Sequence, residues 1–229
     1  MPDTGRRVEF EGALNFRDLG GLPVSGGGVV RRGVVYRSDS LHALTPADLD
    51  RLHDGVGVRT VVDLRMDREV DEIGPRAGHF RDDVRMLRLP LFTDYPPEWA
   101  EPMNWATEEQ RAQRYLDFLE AGPGAVVTLV RELGDPAAVP AVVHCHSGRD
   151  RTGIVVGVVL DLLGVDRALI GDDYAVTARY ITEWELSPER MTLLLGLLDE
   201  RYGSPEGLLR EHGLVDDDLA ALRSALLDP

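Results

Sequence analysis

Apolar and polar positions alternate in two different rhythms along this chain, and the rhythm changes about halfway. The first half carries short β-branched runs broken by glycine and proline. The run from Val29 to Arg37 reads as strands joined by turns, with Gly26-Gly27-Gly28 as a hairpin turn because no helix follows to make it a phosphate cradle. Val58 to Arg65 reads as a buried strand with charges at its end, and Val84 to Phe92 as another. Between them Thr45-Pro46-Ala47-Asp48 sets a cap, a first-turn proline and an acid, predicting a helix to about Asp54.

From residue 107 the period lengthens. Thr107 with Gln110 forms a capping box that starts a helix through about Glu120, and Gly122-Pro123 opens a second ending near Gly134. One more strand, Pro140-Ala141-Val142-Val143, precedes an apolar helix over Ile154–Leu163 that stops at Gly164. Asp166, Ser187-Pro188-Glu189, Ser204-Pro205-Glu206 and Asp216 then start four further helices, the second running to about Tyr202 with Leu193, Leu194, Leu197 and Leu198 as its core row. The pattern predicts an α/β fold, a central sheet flanked by helices, with a mostly helical C-terminal half and a single domain over residues 1–229. Residues 96–106 fit neither rhythm: three prolines with Trp99, Met103 and Trp105 read as a lid or pocket wall, or as an irregular loop packing its aromatics on the core.

Composition narrows the partners. The formal charge is −15, which argues against nucleic acid or an anionic membrane surface. An anionic substrate must be drawn by local charge. All 25 basic residues are Arg, so an Arg in place of a Lys carries little weight by itself. The single cysteine excludes an internal disulfide. Met1 to Arg7 leads into no apolar signal region and no window of 18 apolar residues is present, so the expectation is a soluble, cytoplasmic protein without membrane insertion, with export by another route left open. Oligomeric state is not legible.

The chemistry concentrates in His144-Cys145-His146-Ser147-Gly148-Arg149-Asp150-Arg151-Thr152-Gly153, between the last strand and the apolar helix. A loop that opens into a helix aims free N–H groups and the positive dipole end at its contents, and Arg149 and Arg151 add forked donors, which together suit a phosphate. Cys145 and Arg151 bracket five residues, enough to wrap a tetrahedral oxyanion with the sulfur at its base. The surroundings should favour the thiolate, whose attack on phosphorus gives a phosphocysteine with no metal or other cofactor required. His146, Ser147, Gly148, Arg149, Asp150 and Arg151 form the phosphate-binding set. His144 and His146 beside Cys145 point to different sides of an extended stretch and make a poor metal site. Asp63 and Arg65 either face this site or, for Arg65, form a structural ion pair with Glu69. Arg17 and Asp18 either touch the site or hold the N-terminal arm against the strands, with the structural reading leading.

His-Cys-x-x-Gly-x-x-Arg-Thr-Gly resembles the signature of the cysteine-dependent protein tyrosine phosphatase superfamily. With Asn15-Phe16-Arg17-Asp18-Leu19-Gly20-Gly21, Tyr36-Arg37-Ser38-Asp39, Val62-Asp63-Leu64-Arg65 and Glu69, and Tyr202-Gly203-Ser204, the chain resembles the bacterial tyrosine phosphatases typified by the secreted mycobacterial phosphatase B. The resemblance implies a phosphatase-like fold and hydrolysis of phosphotyrosine in proteins, with dual-specificity action on phosphoserine or phosphothreonine, or on phosphoinositides. It makes Cys145 the nucleophile and Arg151 the phosphate clamp, has Thr152 hydrogen-bond the thiolate, and has His144 support it from behind. The family usually carries Lys at Arg149, a Lys associated with tolerance of inositol phosphates. The candidates for the general acid are Asp94, on the loop after Phe92, then Asp150, with Asp63 or no single acid as the remainder. A rhodanese-type sulfurtransferase and a catalytically silent phosphate-binding module are the alternatives of other classes; the first lacks a reason for Arg-Thr-Gly and the second needs a defect that the chain does not show.

Overall fold

The structure, a computed structural model, describes residues 5–73, 80–95, 106–181 and 186–228. Strands β1 (Arg17–Asp18), β3 (Val35–Ser38), β4 (Thr60–Asp63), β5 (Arg85–Arg88) and β6 (Ala141–His144) build a sheet in the order β1-β3-β6-β4-β5. β3, β6, β4 and β5 run parallel, and β1 is antiparallel at one edge. A small ribbon pairs β2 (Val29–Val30) with β7 (Leu227–Asp228), tying the far end of the chain to its beginning. The glycines 26–28 all adopt positive φ in the turn before β2, as the hairpin expectation required.

Successive strand residues point to opposite faces of the sheet, and the chain uses both. Val61 and Val142 pack with Phe10, Phe16, Tyr36, Leu41 and Leu52 on the side of α1 (Pro46–Asp50) and the N-terminal arm. Val62 and Val143 pack on the other side with α5 (Asp150–Leu162) and the helices around it. Those helices are α3 (Glu108–Ala121), α4 (Pro123–Gly134), α6 (Arg167–Val176), α7 (Glu189–Tyr202), α8 (Pro205–Glu211) and α9 (Asp216–Leu226), while α2 (Asp67–Ile73) follows β4. Every residue of α5 except Asp150 and Asp161 is buried. This central sheet flanked by helices is the α/β architecture expected. No described helix is long and apolar enough to cross a membrane.

The caps lie where the polar pattern placed them. Thr45 Oγ1 accepts from Asp48 N at 3.2 Å, Thr107 Oγ1 from Gln110 N at 3.3 Å, Asp166 from Ala168 N at 2.9 Å, and Ser204 Oγ from Gly207 N at 2.9 Å. Such caps are each worth about 1 kcal/mol. Asp48 does double duty: its carboxylate also accepts from Glu11 N and Gly12 N, pinning the N-terminal arm to α1.

Four details depart from the pattern. The helix of α1 continues to Val56 as a wider π turn before Gly57 ends it. β5 spans four residues rather than nine, since Leu89 N to Asp63 O at 3.0 Å is its last ladder bond and Pro90 has no N–H to donate. α5 starts at Asp150, before the apolar run, because it grows directly out of the phosphate-type loop. In α7 the buried row is Met191, Leu194, Leu195 and Leu198, with Leu193 and Leu197 only partly covered.

Candidate active site

Parallel register brings Ser38, His144 and Asp63 side by side at the carboxyl ends of β3, β6 and β4. Loops leaving that edge are where an open α/β sheet forms its crevice. Residues 145–149 turn there from β6 into α5, with Cys145 at 1% exposure.

The carbonyls of this loop are held from outside. His146 O accepts from Ser40 N at 2.9 Å, Ser147 O from Asn15 Nδ2 at 3.4 Å, and Gly148 O from both Asn15 Nδ2 at 3.3 Å and Arg37 Nη2 at 2.8 Å. A trans peptide sets N–H opposite C=O, so the N–H groups of Ser147, Gly148 and Arg149 face the concave side. Those of Ser147 and Gly148 meet no acceptor among the described residues. Gly148 makes the turn possible: its φ is +66°, and a Cβ there would meet Ser38 O at 2.4 Å. The result is an anion-binding nest at the start of a helix.

Arg151 lies in the first turn of α5 and is gripped by Glu69 of α2, through Nη1 and, at 2.6 Å, through Nη2. Glu69 is itself held by Met66 N at 2.8 Å. Burial works against the Arg151 charge, but the bonds to Glu69 and the charge of Cys145 outweigh it and raise its pKa. Burial likewise opposes ionisation of Glu69, and the Arg151 bonds overcome it and hold the carboxyl below its ordinary value. Glu69 is thus the partner of Arg151, not of Arg65. Arg65 is taken by Asp63 at 2.7 Å, and Asp63 also receives Arg88 at 3.3 Å.

His144 is buried behind the cysteine, with Nδ1 3.1 Å from Cys145 O and Nε2 4.0 Å from Asp63. Desolvation lowers its pKa despite Asp63, favouring a neutral ring. Thr152 is fully buried, and its Oγ1 has no hydrogen-bond partner among the described residues. The expected bond from Thr152 to the thiolate is therefore not formed here. His146, by contrast, is exposed.

Residues 8–228 match the sequence model of the tyrosine phosphatase family. The chain belongs to the tyrosine phosphatase family. Among its relatives, the triple specificity protein phosphatase PtpB of Mycobacterium tuberculosis is 28% identical across 96% of this chain and 98% of that protein. A tyrosine-protein phosphatase of Nostoc commune is 26% identical across 83% of this chain and 73% of its own length. Among solved structures, the Siw14 catalytic core is similar with a TM-score of 0.48 and 13% identity, covering 92% of this chain and 98% of that one.

In this tyrosine phosphatase chain the two carboxylates expected as acid candidates have unlike settings. Asp150, partly buried, is bonded by Arg149 Nε at 2.9 Å and by the Tyr115 hydroxyl. Burial alone would raise its pKa, but Arg149 and Tyr115 bring it below the ordinary value. Asp94 is 73% exposed, 3.4 Å from Arg68. The next residue, Tyr95, is half-buried against Phe92 and Phe118, at ring distances of 5.1 and 6.1 Å. Burial is the main cause that raises the pKa of its hydroxyl; Arg151 works against this, while Glu69, Asp150 and Cys145 add to it. The lid expected over residues 96–106 lies outside the described residues except for Ala106, which is buried.

Several residues of the site escaped the sequence. Tyr115 passes from Asp150 to Tyr174 at 2.8 Å, and Arg190 donates to Tyr174 at 2.8 Å and to Glu108 at 2.8 and 3.0 Å. Tyr174, buried first of all and then facing Asp150, is pushed up to about 12. These residues come from α3, α6 and α7, and no local motif marks them. Arg17 bonds Asp173 and Asn15, the residue that holds the loop carbonyls, so it reaches the loop through Asn15.

Proposed function

We propose that the chain is a cysteine-dependent phosphatase acting on phosphotyrosine in proteins, and on phosphoserine or phosphothreonine, through a phosphocysteine intermediate. The observation that carries the reading is the loop around Cys145, whose His146, Ser147 and Gly148 carbonyls are turned outward onto Ser40, Asn15 and Arg37 while Arg151 is pre-oriented by Glu69. Preorganised donors that need no rearrangement at the moment of reaction are worth most in a water-poor site.

In the first step the Cys145 thiolate attacks phosphorus, the S–P bond forms and the P–O ester bond breaks, with the leaving oxygen taking a proton. Arg151 and the loop amides take up the charge on the equatorial oxygens. In the second step water attacks the phosphocysteine, a base takes the water proton, and the S–P bond breaks to return thiolate and inorganic phosphate. Asp150, held as a carboxylate by Arg149 and Tyr115, suits the base of this second step. Asp94, exposed, 3.4 Å from Arg68 and accepting from Tyr95 N, serves as the proton donor of the first step. A phenolate leaves with little help, whereas the alkoxide of serine or threonine needs that donor.

The phosphoinositide alternative finds less support, because Arg149, which would meet a second phosphate, is turned onto Asp150. Phosphate release from matched phosphotyrosine, phosphoserine and phosphothreonine peptides and from phosphoinositides, with chelator present and Cys145→Ser as control, tests the whole reading. Release from phosphotyrosine peptide first, lost in the serine variant, is expected. Activity retained in that variant, or a lipid substrate ahead of every peptide, contradicts it.

A further inference from the structure

Beneath the loop, on the face away from its nest, three guanidiniums surround one carboxylate. Asp173 of α6 receives Arg6 at 2.8 Å, Arg37 at 2.8 Å and Arg17 at 3.3 Å, and its backbone carbonyl accepts from Arg17 Nη2 at 2.9 Å. Arg17, Arg37 and Asp173 are at most 2% exposed and Arg6 is 9%. The carboxylates of Asp18 and Asp39 do not balance the cluster by direct ion pairs. Asp18 accepts from Gly20 N and Gly33 N, and Asp39 from Leu14 N, Asn15 N and the Ser38 hydroxyl.

Three positive groups against one negative group is a costly way to build an interior, since a buried charge without its own partner is strongly disfavoured. The strain is visible in Arg17: burial first, and then the neighbouring Arg37, lower its pKa to about 10. A purely structural cluster of this size would gain by carrying a second carboxylate or one arginine fewer. The excess charge has one anionic destination close by. Arg37 donates one guanidinium nitrogen to Asp173 and the other to Gly148 O, so it touches the back of the peptide whose N–H faces the nest. Arg17 reaches the same loop through Asn15, by way of its main-chain and side-chain oxygens.

We propose that Arg37, backed by Arg6 and Arg17 and partly offset by Asp173, is a positioning residue of the phosphate loop that also sets its electric field. Its hydrogen bond holds the Gly148 carbonyl away from the nest, and the uncompensated charge of the cluster draws the phosphate dianion and the charge of the transition state. The inference rests on the phosphatase reading and concerns the same site.

The test is calorimetric titration of the full chain with inorganic phosphate at fixed pH and salt, beside thermal melting and steady-state kinetics on an aryl phosphate. Arg37→Met weakens phosphate binding at least tenfold and raises KM. Arg37→Lys, which keeps the charge but cannot fork between Asp173 and Gly148, recovers part of the loss. Asp173→Asn, which keeps the shape and removes the negative charge, tightens phosphate binding several-fold although it lowers the melting temperature. The opposite signs separate a field from simple loosening of the structure. If Arg37→Met does not fold, Arg6→Met, at the edge of the cluster and without contact to the loop, still weakens binding several-fold. Unchanged binding in Arg37→Met or Arg6→Met, or weakening in Asp173→Asn equal to that in Arg37→Met, overturns the inference. Failure of the unaltered chain to bind phosphate or turn over the aryl ester instead overturns the phosphatase reading beneath it.

Discussion

The floor and the mouth of this site are built in opposite ways. On the floor, Asn15, Arg17, Arg37 and Asp173 are buried, and each bonds either a loop carbonyl or a group that does. At the mouth, Asp94 and Arg68 are 73% and 55% exposed and meet only at 3.4 Å. An exposed pair of that kind contributes little to stability. The contrast teaches that packing fixes the shape of the loop around Cys145, whereas the carboxylate at the mouth is left where solvent can reach it. Asp150 and Asp94 show it within one residue type: the first is partly buried and bonded by Arg149 and Tyr115, the second is 73% exposed beside Arg68.

Breaking the buried groups of the site should cost most. Arg151→Lys keeps a positive charge but loses the fork that binds Glu69 and a phosphate together, and kcat/KM is expected to fall roughly 10²- to 10³-fold, as for loss of one preorganised donor. A loss under tenfold in steady-state kinetics would mean that the pairing with Glu69 is incidental. The two carboxylates come next. Asp150→Asn should lower turnover of an aryl phosphate by about 10²-fold, in the lower range for general base catalysis. Asp94→Ala should leave that substrate nearly unaffected and slow a phosphoserine peptide instead. Equal effects of both variants on both substrates would erase the distinction between floor and mouth.

A smaller effect concerns stability. The folded Glu69 carboxyl lies below its ordinary value of 4.5, so its pairing contributes stability above that value and loses it as pH falls through the lower folded value. Thermal melts should therefore show the unaltered chain ahead of Glu69→Gln at neutral pH, with the gap narrowing below pH 4.5. A gap independent of pH would assign the loss to packing rather than to charge.

Local chemistry was legible and distant pairing was not. The caps at Thr45, Thr107, Asp166 and Ser204 act within three residues, so their patterns could be read directly. The strand-loop-helix around Cys145 is equally local. An ion pair of Arg65 with Glu69 is one of two readings the sequence leaves open, but in the fold Asp63 takes Arg65 and leaves Glu69 for Arg151, 82 positions away. Asp173, Tyr115, Tyr174 and Arg190 belong to amphipathic helices whose patterns show only that one side is buried. What those buried polar groups meet depends on how helices cross the sheet, and no spacing encodes it. Asn15 and Arg37 stood in recognisable motifs, yet their task, holding the outward carbonyls of a loop more than a hundred residues away, emerged only from the fold.

The covalent intermediate is the most direct measure of the whole account. Acid quenching of the chain during turnover of an aryl phosphate, followed by mass analysis of its peptides, should find one phosphoryl group on the peptide containing Cys145. The adduct should accumulate further in Asp150→Asn, where the second step is slowed. Turnover with no phosphoryl group on that peptide in either protein, or with the group on another residue, would contradict it.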